Sequence, residues 1–116
     1  MTDLSPGNVV WVQFDPTVGR EQRGTRPAVV VASRGYLAAV PELVIVVPAT
    51  TRDRDWAHHV RLSGPRLRLP KPTWAMTEQP RTISHTRITG RVGSVEAGCM
   101  RQIGRWLDDF LHHPSS

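Results

Sequence analysis

Asn8-Val9-Val10-Trp11-Val12-Gln13-Phe14, followed by Asp15-Pro16, is a run of β-branched and aromatic residues closed by a proline. Such side chains fit a pleated surface, and proline has no N–H to extend a ladder, so the run predicts a β-strand. Residues 27–33 and 43–49 are short, nearly continuous apolar stretches of Val and Ile, the pattern of strands in the core of a small sheet. Residues 59–62 and 73–77 are shorter candidates with polar residues interspersed, and 91–93 closes the set. Prolines at 6, 16, 27, 41, 48, 65, 70, 72, 80 and 114 divide the chain into pieces too short for long helices.

Residues 94–113 are the proline-free exception. Ile103, Trp106, Leu107, Phe110 and Leu111 repeat at i, i+3, i+4, i+7 and i+8, which predicts an amphipathic helix. Ser94 is expected to cap it, and Glu96 suits its positive end. Gly98 and Gly104 each cost about 1 kcal/mol relative to alanine, so this helix must draw its stability from packing on the sheet. The expected fold class is therefore mainly β with a C-terminal helix, a small, strongly bent SH3-like antiparallel barrel. It forms one domain over 1–116, with strands within 8–93, the helix at 94–113, and long loops at 34–42 and 64–72.

At 116 residues the chain can bury one modest core. Cys99 is the only cysteine, which rules out an intrachain disulfide and points to a reducing, cytoplasmic setting. The start lacks a basic segment with an apolar core, and the longest apolar run, 43–47, stops at Pro48, so neither a signal peptide nor a membrane span is expected. The net charge of +5 is unevenly placed: residues 52–91 carry eight Arg and Lys71 against Asp53, Asp55 and Glu78. A positive field of this kind attracts polyanions, because each neutralised phosphate releases condensed counterions.

Three polar clusters sit beside predicted strands: residues 19–26 with Glu21 among three arginines, residues 48–52 with the paired hydroxyls of Thr50 and Thr51, and residues 77–84. Trp56, flanked by Arg52, Arg54 and His58, is placed to stack on an unpaired base. An acid–base pair of His58 or His59 with His85 finds no support in the spacing; these histidines read as strand or loop residues on the side that faces a polyanion. No metal is expected, since no Cys/His pair has ligand spacing and the carboxylates do not cluster in threes. Cys99 reads as a helix residue facing the core.

At these clusters a resemblance becomes specific. Residues 7–16, then Gly19-Arg20-Glu21-Gln22, then Arg26-Pro27-Ala28-Val29-Val30-Val31, resemble the N-terminal signature of MazF/PemK-type toxins. Residues 46–51 and 77–84 resemble that family's second and third blocks. The resemblance runs from about residue 7 to the final helix. It implies a metal-independent endoribonuclease toxin of a type II toxin–antitoxin system, cutting single-stranded RNA at a short sequence to leave 2′,3′-cyclic phosphate and 5′-hydroxyl ends. It further implies a homodimer with the RNA groove across the pair, no cofactor, and a cognate antitoxin that lays an acidic extended segment along that groove. Arg26 and Thr50 match the family's essential pair, and Glu21 matches a carboxylate implicated in some members. Gln22, Gln79 and Arg81 match positions lining the groove; Thr51 and Ser84, within the matching blocks, and Trp56 complete the expected RNA-binding set.

The residue types suit the chemistry. As a 2′-hydroxyl attacks its own phosphate, charge builds on the phosphoryl oxygens, and a planar guanidinium binds two of them at once. Arg26 is too weak an acid to be a general base and is assigned to charge stabilisation, Thr50 to positioning, and Glu21 to accepting the 2′ proton. Two alternatives remain. A gyrase-poison toxin of the same fold would resemble its relatives in a C-terminal Trp-Gly-Ile ending that this chain lacks. A non-catalytic SH3-like RNA-binding module would use the basic groove alone.

Overall fold

The alternating side chains of three central strands feed two separate cores, and this accounts for the unbroken apolar runs. The structure, a computed structural model, describes residues 3–14 and 25–112. In it β1 (Asn8–Gln13), β2 (Thr25–Val30) and β3 (Leu43–Thr50) lie side by side. Val9, Val29, Val47 and Ala49 point to one face, where they meet Val60, Leu62 and Ala75 and the helix residues Cys99 and Ile103. Val10, Val12, Ala28, Val30, Val44 and Val46 point to the other face and pack with Ile83. A strand buried on both faces has no polar side to display, so its sequence shows no alternation.

β3 changes partners along its length. It pairs with β6 (Arg81–Ser84) from Leu43 to Val46, with β2 from Val46 to Pro48, and with β5 (Trp74–Met76) at Ala49 and Thr50. β4 (His59–Arg61) adds to β5, and β7 (Ile88–Ser94) adds to β1, giving the antiparallel order β4-β5-β3-β2-β1-β7 with β6 alongside β3. β4 and β7 end this path, and among the described residues the loop after β4 bridges them. The Arg68 N–H donates to the Val92 carbonyl (3.2 Å), while Leu67 and Leu69 pack into the first core. The barrel expected from sequence is thus an open, bent sheet whose gap is lined by a loop.

Residues 34–42, expected as loop, contain α1 (Arg34–Ala39). Its cap is local: the Ser33 hydroxyl accepts from the Tyr36 N–H at 3.0 Å. Tyr36 and Leu37 pack against the second core. Six residues are too few to show helical periodicity in sequence, which is why this segment read as a loop. A short 3-10 turn, His85–Arg87, links β6 to β7.

α2 (Ala97–His112) is the predicted C-terminal helix, but its start differs from expectation. Ser94 stays in β7, and the Glu96 carbonyl accepts the first helical bond, from the Met100 N–H at 3.0 Å. The Glu96 carboxylate accepts from the Ser63 hydroxyl (2.9 Å), tying the helix start to the end of β4. Trp106 and Leu107 are the last residues of α2 on the first core; Phe110 and Leu111, one turn further, are exposed despite their spacing. Cys99 faces the core as expected, and burial pushes its thiol pKa up, outweighing hydrogen bonding with Ser63. No helix among the described residues is long and apolar enough to cross a membrane.

Ile103 is wholly buried between helix and sheet. Ile103→Ala is expected to destabilise the fold by about 2–5 kcal/mol, because the site loses transfer free energy and retains a cavity. Urea unfolding at an unchanged m-value checks this; a loss below the cost of an ordinary surface substitution would show that α2 does not close the core.

Candidate active site

The register of β2 against β1 and β3 decides where the two expected catalytic side chains stand. Val12 pairs with Arg26, and Ala28 pairs with Pro48. Continuing the β2–β3 register past Pro27, which has no N–H to lend the ladder, sets Arg26 opposite Thr50. Directly opposed residues of an antiparallel pair share a face. Arg26, Thr50, Ala28, Pro48 and Val46 are therefore on one side of the sheet, at the margin of the second core. Arg26 is exposed and Thr50 half-buried. The Thr50 hydroxyl accepts from the Arg52 N–H at 3.1 Å, a local turn that fixes the oxygen and leaves its proton available to donate.

Arg81 belongs to the same face, since it stands opposite Val46. Its guanidinium carbon lies 4.8 Å from the ring centroid of Phe14, two residues beyond Val12. Phe14 was not singled out from sequence; the available signal is an aromatic at the end of a strand, in phase with Val12. The ring holds the guanidinium over the sheet while leaving its N–H groups free for an anion.

The other expected residues are dispersed. Ser84 pairs with Leu43 at the opposite end of β3, and its hydroxyl accepts from the Thr86 N–H (3.3 Å), capping the 3-10 turn. Thr51 is exposed beside Thr50. Gln79 is exposed, with its amide donating to a Glu78 carboxylate oxygen at 3.1 Å. Trp56 is 45% exposed, with the Arg54 guanidinium carbon 5.0 Å from its ring centroid and His58 stacked at 5.4 Å. Glu21 and Gln22 lie outside the described residues.

The histidines differ most from expectation. His59 does not face outward: its side chain is 2% exposed, with Nε2 at 3.1 and 3.2 Å from the two Glu78 carboxylate oxygens. His58 Nε2 reaches the same carboxylate at 3.3 Å. His85 sits in the turn after β6, where its N–H donates to the Glu42 carbonyl. It is separated from His59 by most of the length of β3, roughly 20 Å at about 3.3 Å per residue, too far for a shared acid–base step. Burial is the largest single influence on Glu78 and pushes its pKa up. Its backbone hydrogen bond, those from His59 and Gln79 and the charge of His59 together outweigh burial, so the pKa lies below 4.5.

That direction fixes a pH dependence. A carboxyl whose folded pKa is depressed contributes stability that is complete above the unfolded value near 4.5 and is lost as pH falls through the lower folded value. Glu78→Gln is expected to lower the melting temperature at neutral pH and to remove part of its fall below pH 4.5. Parallel curves for the two proteins across that window would contradict the assignment.

A short antiparallel sheet backed by a C-terminal helix is a fold already represented among solved structures. The MazE–MazF complex of Deinococcus radiodurans (Form-II) superposes with a TM-score of 0.79 at 22% identity, covering 98% of this chain and 100% of that one. The family model for the PemK-like, MazF-like toxin of type II toxin-antitoxin systems matches residues 5–111, and the chain belongs to that family. Endoribonuclease toxin MazF of Escherichia coli (strain K12) is 43% identical over 58 residues, 50% of this chain and about half of that protein's length (51%). Endoribonuclease MazF6 of Mycobacterium tuberculosis (strain ATCC 25618 / H37Rv) is 28% identical over 110 residues, 93% of this chain and 96% of the relative.

Proposed function

We propose that this chain is the toxin of a type II toxin–antitoxin pair, a sequence-specific endoribonuclease that cleaves single-stranded RNA in the cytoplasm and thereby inhibits translation and growth. The observation that carries the reading is the β2–β3 register, whose continuation past Pro27 would bring Arg26 opposite Thr50, within a chain of this family. In this mechanism the Arg26 fork holds two phosphoryl oxygens and stabilises the charge they gain as the 2′-hydroxyl attacks. Thr50 donates its hydroxyl proton to the same phosphate and keeps it in line. Glu21 accepts the 2′ proton, the P–O5′ bond breaks, and the departing oxygen takes a proton from solvent water, so that a 2′,3′-cyclic phosphate and a 5′-hydroxyl are left. No step calls for a metal ion.

The positive middle of the chain supports RNA as substrate, and Arg81 over Phe14 extends the anion-binding face beyond the reacting phosphate. Gln22, Thr51, Gln79, Ser84 and Trp56 complete the proposed RNA contacts. Two copies pair to form the groove, as the family resemblance implies. The similarity to the MazE–MazF complex supports an antitoxin partner, here one whose acidic extended segment occupies the groove. Antitoxin and RNA then exclude each other, since both need the same arginines.

The test is incubation of the purified protein with single-stranded RNA in excess EDTA, beside Arg26→Ala and Thr50→Ala. Cuts at a fixed short sequence that vanish in both variants support the reading. Undiminished cutting by either variant overturns the site, and cleavage that needs a divalent ion overturns the mechanism.

A further inference from the structure

Three potential metal ligands from two separate stretches converge beside β4. Nε2 of His58 and Nε2 of His59 both approach the Glu78 carboxylate, at 3.3 Å and at 3.1 to 3.2 Å, and one ligand atom from each residue lies within 4.8 Å of the others. The cluster is held from behind. The Thr77 hydroxyl donates to the His58 carbonyl at 2.6 Å, and His59 is in register with Met76, so the approach to β4 is locked to the turn after β5. Rings of Trp56, Trp106 and Phe110 lie 5.4, 6.0 and 5.7 Å from the His58 ring, and Trp56 lies 4.8 Å from that of His59, giving the polar atoms an apolar wall. The Gln79 amide donates to Glu78 Oε2, the supporting hydrogen bond that ligating carboxylates ordinarily receive.

We propose that His58 Nε2, His59 Nε2 and a Glu78 carboxylate oxygen bind one zinc-class divalent cation, with water in the fourth position. Bonds of about 2.0–2.1 Å in a tetrahedron put neighbouring donor atoms about 3.3 Å apart, close to the nitrogen–oxygen separations here. Two imidazoles and one carboxylate favour zinc, cobalt or nickel over magnesium or calcium, which take oxygen ligands.

The site is distinct from the proposed reaction centre. Thr50 pairs with Trp74 at the start of β5, whereas Glu78 follows the end of that strand. A bound ion therefore does not touch the scissile phosphate. It ties the segment that leaves Thr50 to the turn that leads into Arg81, pinning two borders of the candidate groove. The inference does not depend on the ribonuclease reading.

The untagged full chain, stripped of metal and desalted, is titrated with Zn²⁺ against a chromophoric chelator, and separately with Co²⁺ for its visible spectrum. One ion per chain is expected, with the intense visible absorption of tetrahedral cobalt. Glu78→Gln and His58→Ala, both at partly exposed side chains, should remain folded by circular dichroism and weaken zinc binding by more than about 100-fold, beyond the cost of losing a mere supporting hydrogen bond. Absence of zinc uptake, uptake that survives both substitutions, or cobalt in a weakly absorbing octahedral state would each overturn the proposal. Binding and cleavage are read separately, so failure here leaves the ribonuclease test intact.

Discussion

Arg26→Ala is expected to slow single-turnover cleavage of single-stranded RNA by roughly 100- to 1,000-fold, the cost of removing one preorganised group from the place where charge develops. The side chain is exposed on β2 and supports no core, so melting temperature should stay near that of the parent, within the range of ordinary surface substitutions. Loss of activity in a protein of unchanged stability separates chemistry from folding. Arg26→Lys sharpens the test, because lysine restores the charge without the planar fork. If two phosphoryl oxygens are held at once, the lysine variant recovers only a small part of the loss; full recovery would reduce Arg26 to an electrostatic contact. Thr50→Ser keeps a hydroxyl and should retain most activity, whereas Thr50→Ala should not.

Gly93→Ala is expected to destabilise the fold by about 3 kcal/mol or more, combining left-handed backbone strain with overpacking. Gly93 has φ of +134°, and a Cβ there would run into the Arg66 carbonyl oxygen. The close approach exists because the loop after β4 must lie on β7 to bridge the ends of the sheet. For a chain of this size the loss corresponds to a fall in melting temperature of roughly 10 °C. Gly90→Ala is the control: its nearest neighbour would be the Trp11 ring at an ordinary 3.6 Å, so only a small change is expected. Equal stability in the two variants would mean that the loop does not seal the sheet at β7.

Much of the candidate site was legible because its chemistry is local. Thr50 stands where a valine-rich run gives way to hydroxyls, and Arg26 stands immediately before Pro27 at the head of another, so each could be read as a polar group at the end of a strand. Their opposition was not legible, since it follows from the pairing of β2 with β3 and from the turn composition that sets it. Phe14 was read as a strand residue; only the curvature of the sheet brings Arg81, far along the chain, over its ring. His59 was misread as outward-facing because its partner Glu78 lies 19 residues away, and adjacency to His58 says nothing about a shared carboxylate. Ser94 satisfied the residue preference of a helix cap, but β7 claimed it for pairing with Asn8 and moved the helix start to Ala97.

The order of strands and helix, the two-sided burial of β1 to β3 and the family are properties of the linear pattern, because side-chain shape and apolar spacing act within a few residues. Which groups share a pocket is a property of the folded sheet alone. Partner changes along β3 set one face toward a guanidinium and a hydroxyl, and the β4–β5 register sets two imidazoles on one carboxylate. Convergence of residues distant along the chain is a consequence of strand pairing and packing, which no local preference encodes.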